Sequence, residues 1–327
     1  IFYTYMLLSK TKFFNNFDRV RYMYKCNRFI MDRNSMIESV KACIPPLDGT
    51  NHKGQAGRIG IVGGSLEYTG APYFAGISAL KVGADLVHIF CATSAATVIK
   101  SYSPELIVHP VLDSPNAVAE ITPWLERLHA VVIGPGLGRE PSTLKRVTDL
   151  IGIIRDRKLP LVIDADGLFL LNEHPELIAN FESPVILTPN KIEFERLCQN
   201  VNIPSELNKL KSKVVVLKKG QVDEVFSTSS EVQWQLGTGG SGRRCGGQGD
   251  LLSGSIAIFL YWTLSNAHKV VGAEGDKTLV SSSLACYAAS TLIRKCNQAA
   301  FQRYGRSMLA SNMIDYIHES FEDLFGQ

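Results

Sequence analysis

No pair of cysteines in this chain has C-x-x-C spacing. Cys26, Cys43, Cys91, Cys198, Cys245, Cys286 and Cys296 are odd in number and scattered. That excludes a disulfide framework and a cysteine-based zinc site, and reads as reduced thiols. No Gly-Lys dipeptide occurs, so the G-x-x-x-x-G-K-[ST] loop of Walker-type nucleotidases is absent. The histidines lack ligand spacing. Only His52, beside Lys53 and Gly54, has a glycine-rich setting, and none is assigned a catalytic role. Ser65 does not lie in G-x-S-x-G, which removes the support for a serine hydrolase. The longest apolar run, Leu251 to Leu264, contains Ser and Gly and is too short to span a bilayer. It reads as a buried helix, and no membrane partner is expected.

Charge of either sign is nearly balanced, at 34 basic and 31 acidic residues. Within residues 1–30, Lys10, Lys12, Arg19, Arg21, Lys25 and Arg28 face Asp18 alone, so the remaining chain is slightly acidic. No basic field covers it, which argues against a nucleic-acid binder. The first 30 residues are aromatic, basic and nearly acid-free, as in a mitochondrial transit peptide, though poor in serine. A targeting segment and a disordered or spuriously translated leader are equally compatible with that composition, and Met31 and Met36 are plausible internal starts. The expected location is cytoplasmic, mitochondrial or both. Residues 1–44 are expected to be a leader, and residues 45–327 one domain.

From Arg58 onward, short Val- and Ile-rich runs alternate with helical stretches. The predicted strands are Arg58–Val62, Leu86–Cys91, Ala130–Ile133, Leu161–Ile163, Val185–Leu187 and Lys213–Leu217, with a helix over Pro72–Gly83. Continuous apolar strands of this length indicate a parallel sheet buried on both faces. The fold class expected is α/β, a central, mostly parallel sheet with helices on both faces. Glu224–Phe226 and Val232–Gln235 suggest an antiparallel edge. Many strands run into Gly, Asp or Asn, and ligands of open α/β sheets bind outside those ends.

The segment Arg243-Arg244-Cys245-Gly246-Gly247-Gln248-Gly249-Asp250 then opens into the apolar run. Glycines allow backbone N–H groups to face a ligand, and a helix N-terminus adds partial positive charge. Arg243 and Arg244 would strengthen this anion site, although either could be a surface residue. An aspartate at its mouth is unfavourable without a task. The task that fits is accepting the proton of a hydroxyl that attacks a phosphate. Asn190 and Glu193, after a strand, form either a helix capping box or a phosphate- and metal-organising pair. Asp164 and Asp166 leave a helix cap and a metal–phosphate contact equally open. Lys219-Gly220 offers a strand-end cation, with a solvated lysine as the alternative. Gly63-Gly64-Ser65 is a tight turn or a phosphate loop, but Gly60, Gly63 and Gly64 do not have G-x-G-x-x-G spacing.

Together these residues resemble the ribokinase-like superfamily, through Gly247-Gln248-Gly249-Asp250 and Asn190 to Glu193. Within it the chain is similar to the eukaryotic-type ATP-dependent NAD(P)H-hydrate dehydratases. Lys53 to Arg58, Tyr68 to Tyr73, Gly83 to Leu86, Gly134 to Gly138, Asp164 to Gly167, Thr188 to Asn190, Cys296 to Phe301 and Gly305 to Ser307 carry that likeness. The resemblance implies ATP-driven loss of water from the S form of NADH-hydrate or NADPH-hydrate, with ATP as co-substrate and Mg2+. It implies Asp250 as the catalytic base. Gly136, Asn190, Lys191, Ile192, Glu193, Phe194, Glu195 and Arg196, with Asp250, would contact the hydrate. Lys219, Gly220, Gln221, Val222 and Asp223 would line the ATP side. Gly240, Ser241, Gly242, Arg243, Arg244, Cys245, Gly246, Gly247, Gln248 and Gly249 would complete it. Glu193 would hold the metal indirectly, through water. A separate NAD(P)H-hydrate epimerase is the expected functional partner, and a homo-oligomer is left open.

Three other readings compete. A superfamily small-molecule kinase acting on a vitamin-like alcohol would release a stable phosphorylated product. A nicotinamide-dependent oxidoreductase built on Gly60 to Gly64 would transfer hydride without ATP, and the spacing of those glycines counts against it. An inactive binding protein is disfavoured by the intact Asp250, Asn190 and Glu193.

Overall fold

A computed structural model describes residues 31–50, 52–200, 207–228, 232–270 and 275–326 of the chain. Its strands are β1 (Arg58–Val62), β2 (Leu86–Cys91), β3 (Ile107–Pro110), β4 (Ala130–Ile133), β5 (Leu161–Ile163), β6 (Val185–Leu187), β7 (Val214–Lys218), β8 (Asp223–Ser227) and β9 (Trp234–Leu236). The helices are α1 (Arg33–Cys43), α2 (Gly70–Val82), α3 (Thr93–Tyr102), α4 (Ala117–Leu125), α5 (Pro141–Asp156), α6 (Asp166–Glu173), α7 (Lys191–Asn200), α8 (Gln248–Ser265), α9 (Lys277–Tyr304), α10 (Ala310–Ile314) and α11 (Ile317–Phe325).

The strands join in one sheet of order β3-β2-β1-β4-β5-β6-β7-β8-β9. Pairing is parallel from β3 through β7 and antiparallel from β7 to β9. Side chains alternate along each strand, so the Val- and Ile-rich runs feed two cores. Ile59, Ile61, Val132, Val162 and Val215 pack with α8 and α9. Val62, Val131, Ile133, Ile163 and Val214 pack on the other face with α5 and α6. The mostly parallel, doubly covered sheet expected from the sequence is therefore present, with its antiparallel edge.

Besides shifts of one or two residues at the ends of α2, β8 and β9, three details differ from the sequence reading. Strand β3 was not anticipated: it is an edge strand with Ile107 exposed and Pro110 at its end, and so lacks a continuous apolar signal. Strand β7 is displaced by one residue, to Val214–Lys218. The third concerns the leader: α1 lies within it, yet buries Met36, Val40 and Cys43 in the core, with Asp32 accepting from the amides of Asn34 and Ser35. A boundary at residue 45 would cut this helix from the body it packs against. The targeting expectation falls on residues 1–30, outside the described residues.

Helix α8 is buried almost all round, as a helix sandwiched between a sheet and other helices must be. Gly254 lets it approach α2 so closely that a methyl there would overlap the Ala75 carbonyl. Gly152, by contrast, lies within α5 with no atom near enough to oppose a methyl. In equilibrium urea unfolding, Gly254→Ala is expected to cost about 3 kcal/mol. Gly152→Ala should leave stability unchanged or raise it by up to about 1 kcal/mol. Equal effects would contradict the close α2–α8 contact.

Candidate active site

The N-terminus of α8 opens at the C-terminal ends of the central strands. Gly247 caps it at φ 93°, a left-handed backbone that suits glycine. A Cβ at Gly247 would also lie 2.7 Å from Ala310 Cβ and 2.8 Å from the Phe74 ring. Space and dihedral thus both favour glycine here. Gln248, Gly249 and Asp250 form the first turn, where N–H groups have no intrahelical acceptor. The Gln248 side chain turns back, donating to the Arg243 carbonyl at 3.2 Å.

Beneath this turn lies a cluster of charges. Lys219, one residue past β7, donates to Asp164 Oδ1 at 2.8 Å. Asp164, one residue past β5, is 2% exposed. A Cβ on Gly249 would stand 3.1 Å from Lys219 Nζ and 4.0 Å from Asp164 Oδ2, which places the pair directly under the turn. Burial disfavours the Lys219 ammonium, but Asp164, Glu193 and Asp250 outweigh it and hold its pKa above the usual lysine range. One ammonium therefore serves three carboxylates. Burial, followed by the charge of Asp164, pushes Asp250 up to about 7, while Lys219 pulls the other way. Burial also raises Glu193, opposed by Lys219 and by the Asn190 amide.

A cleft of about 990 Å³ runs away from this cluster. Asn190, Lys219, Gly220, Gln221, Asp223, Gly240, Ser241, Gly242, Arg244, Cys245 and Gly246 to Gly249 are among the residues that line it. Sequence reasoning missed the residue that binds its two loops together. Arg294 of α9 donates from Nε to Asp223 Oδ2 at 2.7 Å and from Nη2 to the Gly220 and Gln221 carbonyls, both at 3.0 Å. Its Nη1 reaches the Gly239 carbonyl at 3.3 Å. Asp223 also accepts from the Gly220 amide at 2.9 Å, so it braces the loop and is not a free phosphate-side charge. A single arginine in a helix carries no motif that would expose this role. The cleft also contains G-x-G-x-x-G spacing unnoticed in the sequence, at Gly237, Gly239 and Gly242. It follows the antiparallel strand β9 and opens no helix, so it is not a dinucleotide-binding turn.

Other expected site residues fall in several places. Asn190 and Glu193 form a reciprocal capping box: Asn190 Oδ1 accepts from the Ile192 and Glu193 amides at 2.9 and 3.0 Å, and Glu193 Oε2 accepts from the Asn190 amide at 2.8 Å. The cap and the site position coexist, since Glu193 still acts on Lys219 and Asp250 through its charge. Lys191, Ile192 and Arg196 are exposed on α7 and Glu195 is half-buried. Phe194 is a correction: it is 5% exposed and packs edge-on to Phe226. The helical period turns it, with Leu197, toward the core and away from a ligand. Gly136, at φ 61°, is buried under Tyr68, and its carbonyl accepts from the Gly64 amide at 3.1 Å, joining the loops after β1 and β4. Asp166 does not cap α6 from outside. It is the helix's first residue and accepts from the Gly138 amide and from Arg139. Val222 is 42% exposed. Neither Val222 nor Arg243 lines the cleft.

A family model for NAD(P)H-hydrate dehydratase matches residues 59–319. A relative from Aedes aegypti, named ATP-dependent (S)-NAD(P)H-hydrate dehydratase, is 53% identical over 296 residues, covering 90% of this chain and 86% of the relative. A Homo sapiens protein of that name is 49% identical over 309 residues, with the same shares covered. The Bacillus subtilis ADP/ATP-dependent NAD(P)H-hydrate dehydratase, co-crystallised with ATP/Mg2+, superposes with TM-score 0.63 at 21% identity, covering 88% of this chain and 97% of that one. A ribokinase-like superfamily protein from Enterococcus faecalis gives 0.67 at 19% identity, covering 89% and 95%. These structures establish the fold as ribokinase-like.

The raised Asp250 pKa has a consequence for stability. Folded Asp250 keeps its proton up to about pH 7, whereas an unfolded aspartate releases it near 3.8. Its contribution to stability is therefore fully present below 3.8 and is lost as pH rises through about 7. Asp250→Asn cannot ionise. Its stability relative to the wild type should rise between pH 4 and pH 8, by up to about 4 kcal/mol. Thermal or urea unfolding across that range reads the difference. A difference independent of pH would mean that Asp250 titrates as an ordinary carboxylate.

Proposed function

Because the chain belongs to the NAD(P)H-hydrate dehydratase family, we propose that it removes water from the S form of NADH-hydrate and NADPH-hydrate at the expense of ATP, restoring the reduced dinucleotide. The observation that carries this reading is Asp250. It is a carboxylate whose proton affinity lies near neutrality, set in the first turn of α8 above the half-buried Lys219 ammonium and one residue beyond Gly249, which lines a nucleotide-sized cleft. A general base works best with a pKa near the working pH.

Hydroxide is a poor leaving group, so the C6 hydroxyl must first be converted into a better one. Asp250 takes its proton as the hydroxyl oxygen attacks the γ-phosphorus of ATP, and ADP departs. The N–H groups of Gly247, Gln248 and Gly249 face the charge that develops on the transferred phosphoryl, and Lys219 adds fixed positive charge beneath them. The ring nitrogen lone pair then expels phosphate by breaking the C6–O bond. Loss of a C5 proton forms the C5–C6 double bond. Water leaves, in sum, as one phosphate oxygen and two protons, that of the hydroxyl and that of C5.

Among the described residues, no group of three His, Cys, Asp or Glu side chains could hold a metal ion. Mg2+ is usually carried by nucleotide phosphates and its own water, with one or two carboxylates from the protein. Glu193 would receive a metal-bound water, since its cap uses Oε2. The ion would neutralise phosphate charge. A separate epimerase would supply the S form from the R epimer. The basic composition of residues 1–30 supports a mitochondrial location alongside a cytosolic one. No helix among the described residues is long and apolar enough to cross a membrane.

Incubating the protein with hydrated NADH, Mg2+ and ATP should restore the reduced-nicotinamide absorbance and release ADP and phosphate. ADP as donor tests the nucleotide preference. Asp250→Asn should lower kcat by about 10³-fold. Near-normal repair by that variant would remove Asp250 as base, and a stable phosphorylated product would favour the small-molecule kinase.

A further inference from the structure

The loop that follows β9 lines the cleft and has little of its own to hold it in shape. Gly237, Gly239, Gly240, Ser241 and Gly242 all face the cleft. Gly239 and Gly240 stand at φ 75° and 80°, a left-handed backbone that glycine adopts freely. A stretch this rich in glycine loses much conformational freedom when it orders, so its shape depends on contacts from outside. Helix α9 supplies some of them. The Gly240 amide donates to the Arg294 carbonyl at 3.0 Å, and Arg294 Nη1 donates to the Gly239 carbonyl at 3.3 Å. Just upstream, Trp234 of β9 donates from Nε1 to Ser283 Oγ at 2.8 Å.

A further contact comes from the segment expected to be a leader. Arg33, the first residue of α1, donates from Nη2 to Thr238 Oγ1 at 2.7 Å, across 205 residues of sequence. Thr238 stands between Gly237 and Gly239, so its hydroxyl is on the first side chain that the loop offers after β9. The needs of α1 do not explain Arg33. A cation in the first turn opposes the helix dipole. Nor is the neighbouring Asp32 carboxylate its partner. It accepts from the Asn34 and Ser35 amides at 2.9 and 3.1 Å, and from Ser35 Oγ at 2.6 Å. The helix does fix where Arg33 starts from, because Met31 before it and Met36, Val40 and Cys43 after it are buried in the core. Burial pushes the Tyr287 hydroxyl of α9 up and Arg33 opposes that shift, which sets the guanidinium beside α9 as well. A cation on a firm mount, unfavourable to its own helix, thus meets a hydroxyl in the glycine-rich loop of the cleft.

We propose that Arg33 is a positioning residue of the nucleotide cleft, which holds the β9–α8 loop through Thr238 in the form that receives ATP. Helix α1 is then a working part of the enzyme and not a leader. The inference rests on the cleft taking a nucleotide, the reading adopted above. A product initiated at Met36 would lack this contact, whereas one initiated at Met31 would keep it.

The test uses the full chain carrying Arg33→Ala, Arg33→Lys, Thr238→Val, or Arg33→Ala with Thr238→Val. For each, kcat and the KM values for ATP and for NADH-hydrate are measured, together with protection from thermal unfolding by ATP and Mg2+ without hydrate. Both residues are exposed, so the unfolding midpoint without ligand should stay close to that of the wild type. Arg33→Ala and Thr238→Val should each raise the KM for ATP by about fivefold, with kcat within about twofold and the KM for the hydrate unchanged. The double variant should be no worse than either single one, since each removes the same bond. Arg33→Lys keeps a donor and should recover most of the loss. An unchanged KM for ATP in Arg33→Ala would overturn the proposal, and so would additive losses in the double variant. Parallel rises in both KM values with a lowered midpoint would assign Arg33 to the fold alone, which overturns it too. Protection by ATP that weakens in the expected pattern, in a protein unable to repair the hydrate, would sink the dehydratase reading and keep the role of Arg33.

Discussion

The ion pair between the half-buried Lys219 and the buried Asp164 is the contact on which the rest of the site depends. It links the ends of β7 and β5 across β6, with the two charges 2.8 Å apart. Burying such a pair costs desolvation that its own attraction barely recovers, so it is weak evidence for stability. Its value here is electrostatic. It plants one ammonium under the first turn of α8 and leaves Glu193 and Asp250 to share what remains of its charge. Asp250 is then neither a free surface acid nor a fully compensated one, which is how a carboxylate comes to titrate near neutrality.

That electrostatic arrangement works only if the helix end cannot move. Helix α8 is wedged between the sheet and α9, and Gly254 lets α2 touch its backbone. Gly247 gives it a sharp entry where Phe74 and Ala310 leave no room for a side chain. The amides of the first turn are thus held by packing before any ligand arrives, and donors fixed in advance stabilise developing charge without reorganising. Arg294 does the same for the facing loops, since its guanidinium spans both. Chemistry at one end of the cleft is supported by helix packing at the other.

Much of this was legible in the sequence. Parallel strands buried on both faces read as continuous Val and Ile runs, and β1, β2, β4, β5 and β6 have the bounds those runs predict. The glycine-rich entry to α8 was equally plain, because local backbone demands leave local residue signatures. What stayed hidden was set by tertiary contact. The edge strand β3 has too little burial to show a pattern. Phe194 sits inside a motif whose neighbours Lys191, Ile192 and Arg196 are exposed, and only the helical turn of α7 sends it to the core. Arg294 and Asn297 lie in a long helix whose relation to two distant loops no spacing encodes. Asp164 and Asp166 look alike in sequence, yet one meets Lys219 and the other holds Arg139 and the Gly138 amide. A fold assigns different work to adjacent carboxylates by facing them in opposite directions.

The two halves of the proposed reaction ask different things of the chain. Phosphoryl transfer needs a base, fixed donors and positive charge, and Asp250, the α8 amides and Lys219 supply all three. Elimination needs an electron pair beside the leaving group, which the ring nitrogen of the hydrate carries itself. A kinase and a dehydratase can therefore share every residue around Asp250. They differ in which hydroxyl is presented to it, and a hydroxyl next to an enamine-like nitrogen gives a phosphate that cannot be retained as product. On the proposed reading, the selection is made where the ring would be held, around α7 and the joined loops after β1 and β4. In the proposed reaction the carboxylate at the head of α8 commits the hydroxyl to phosphorylation, and the substrate's own electrons finish the repair.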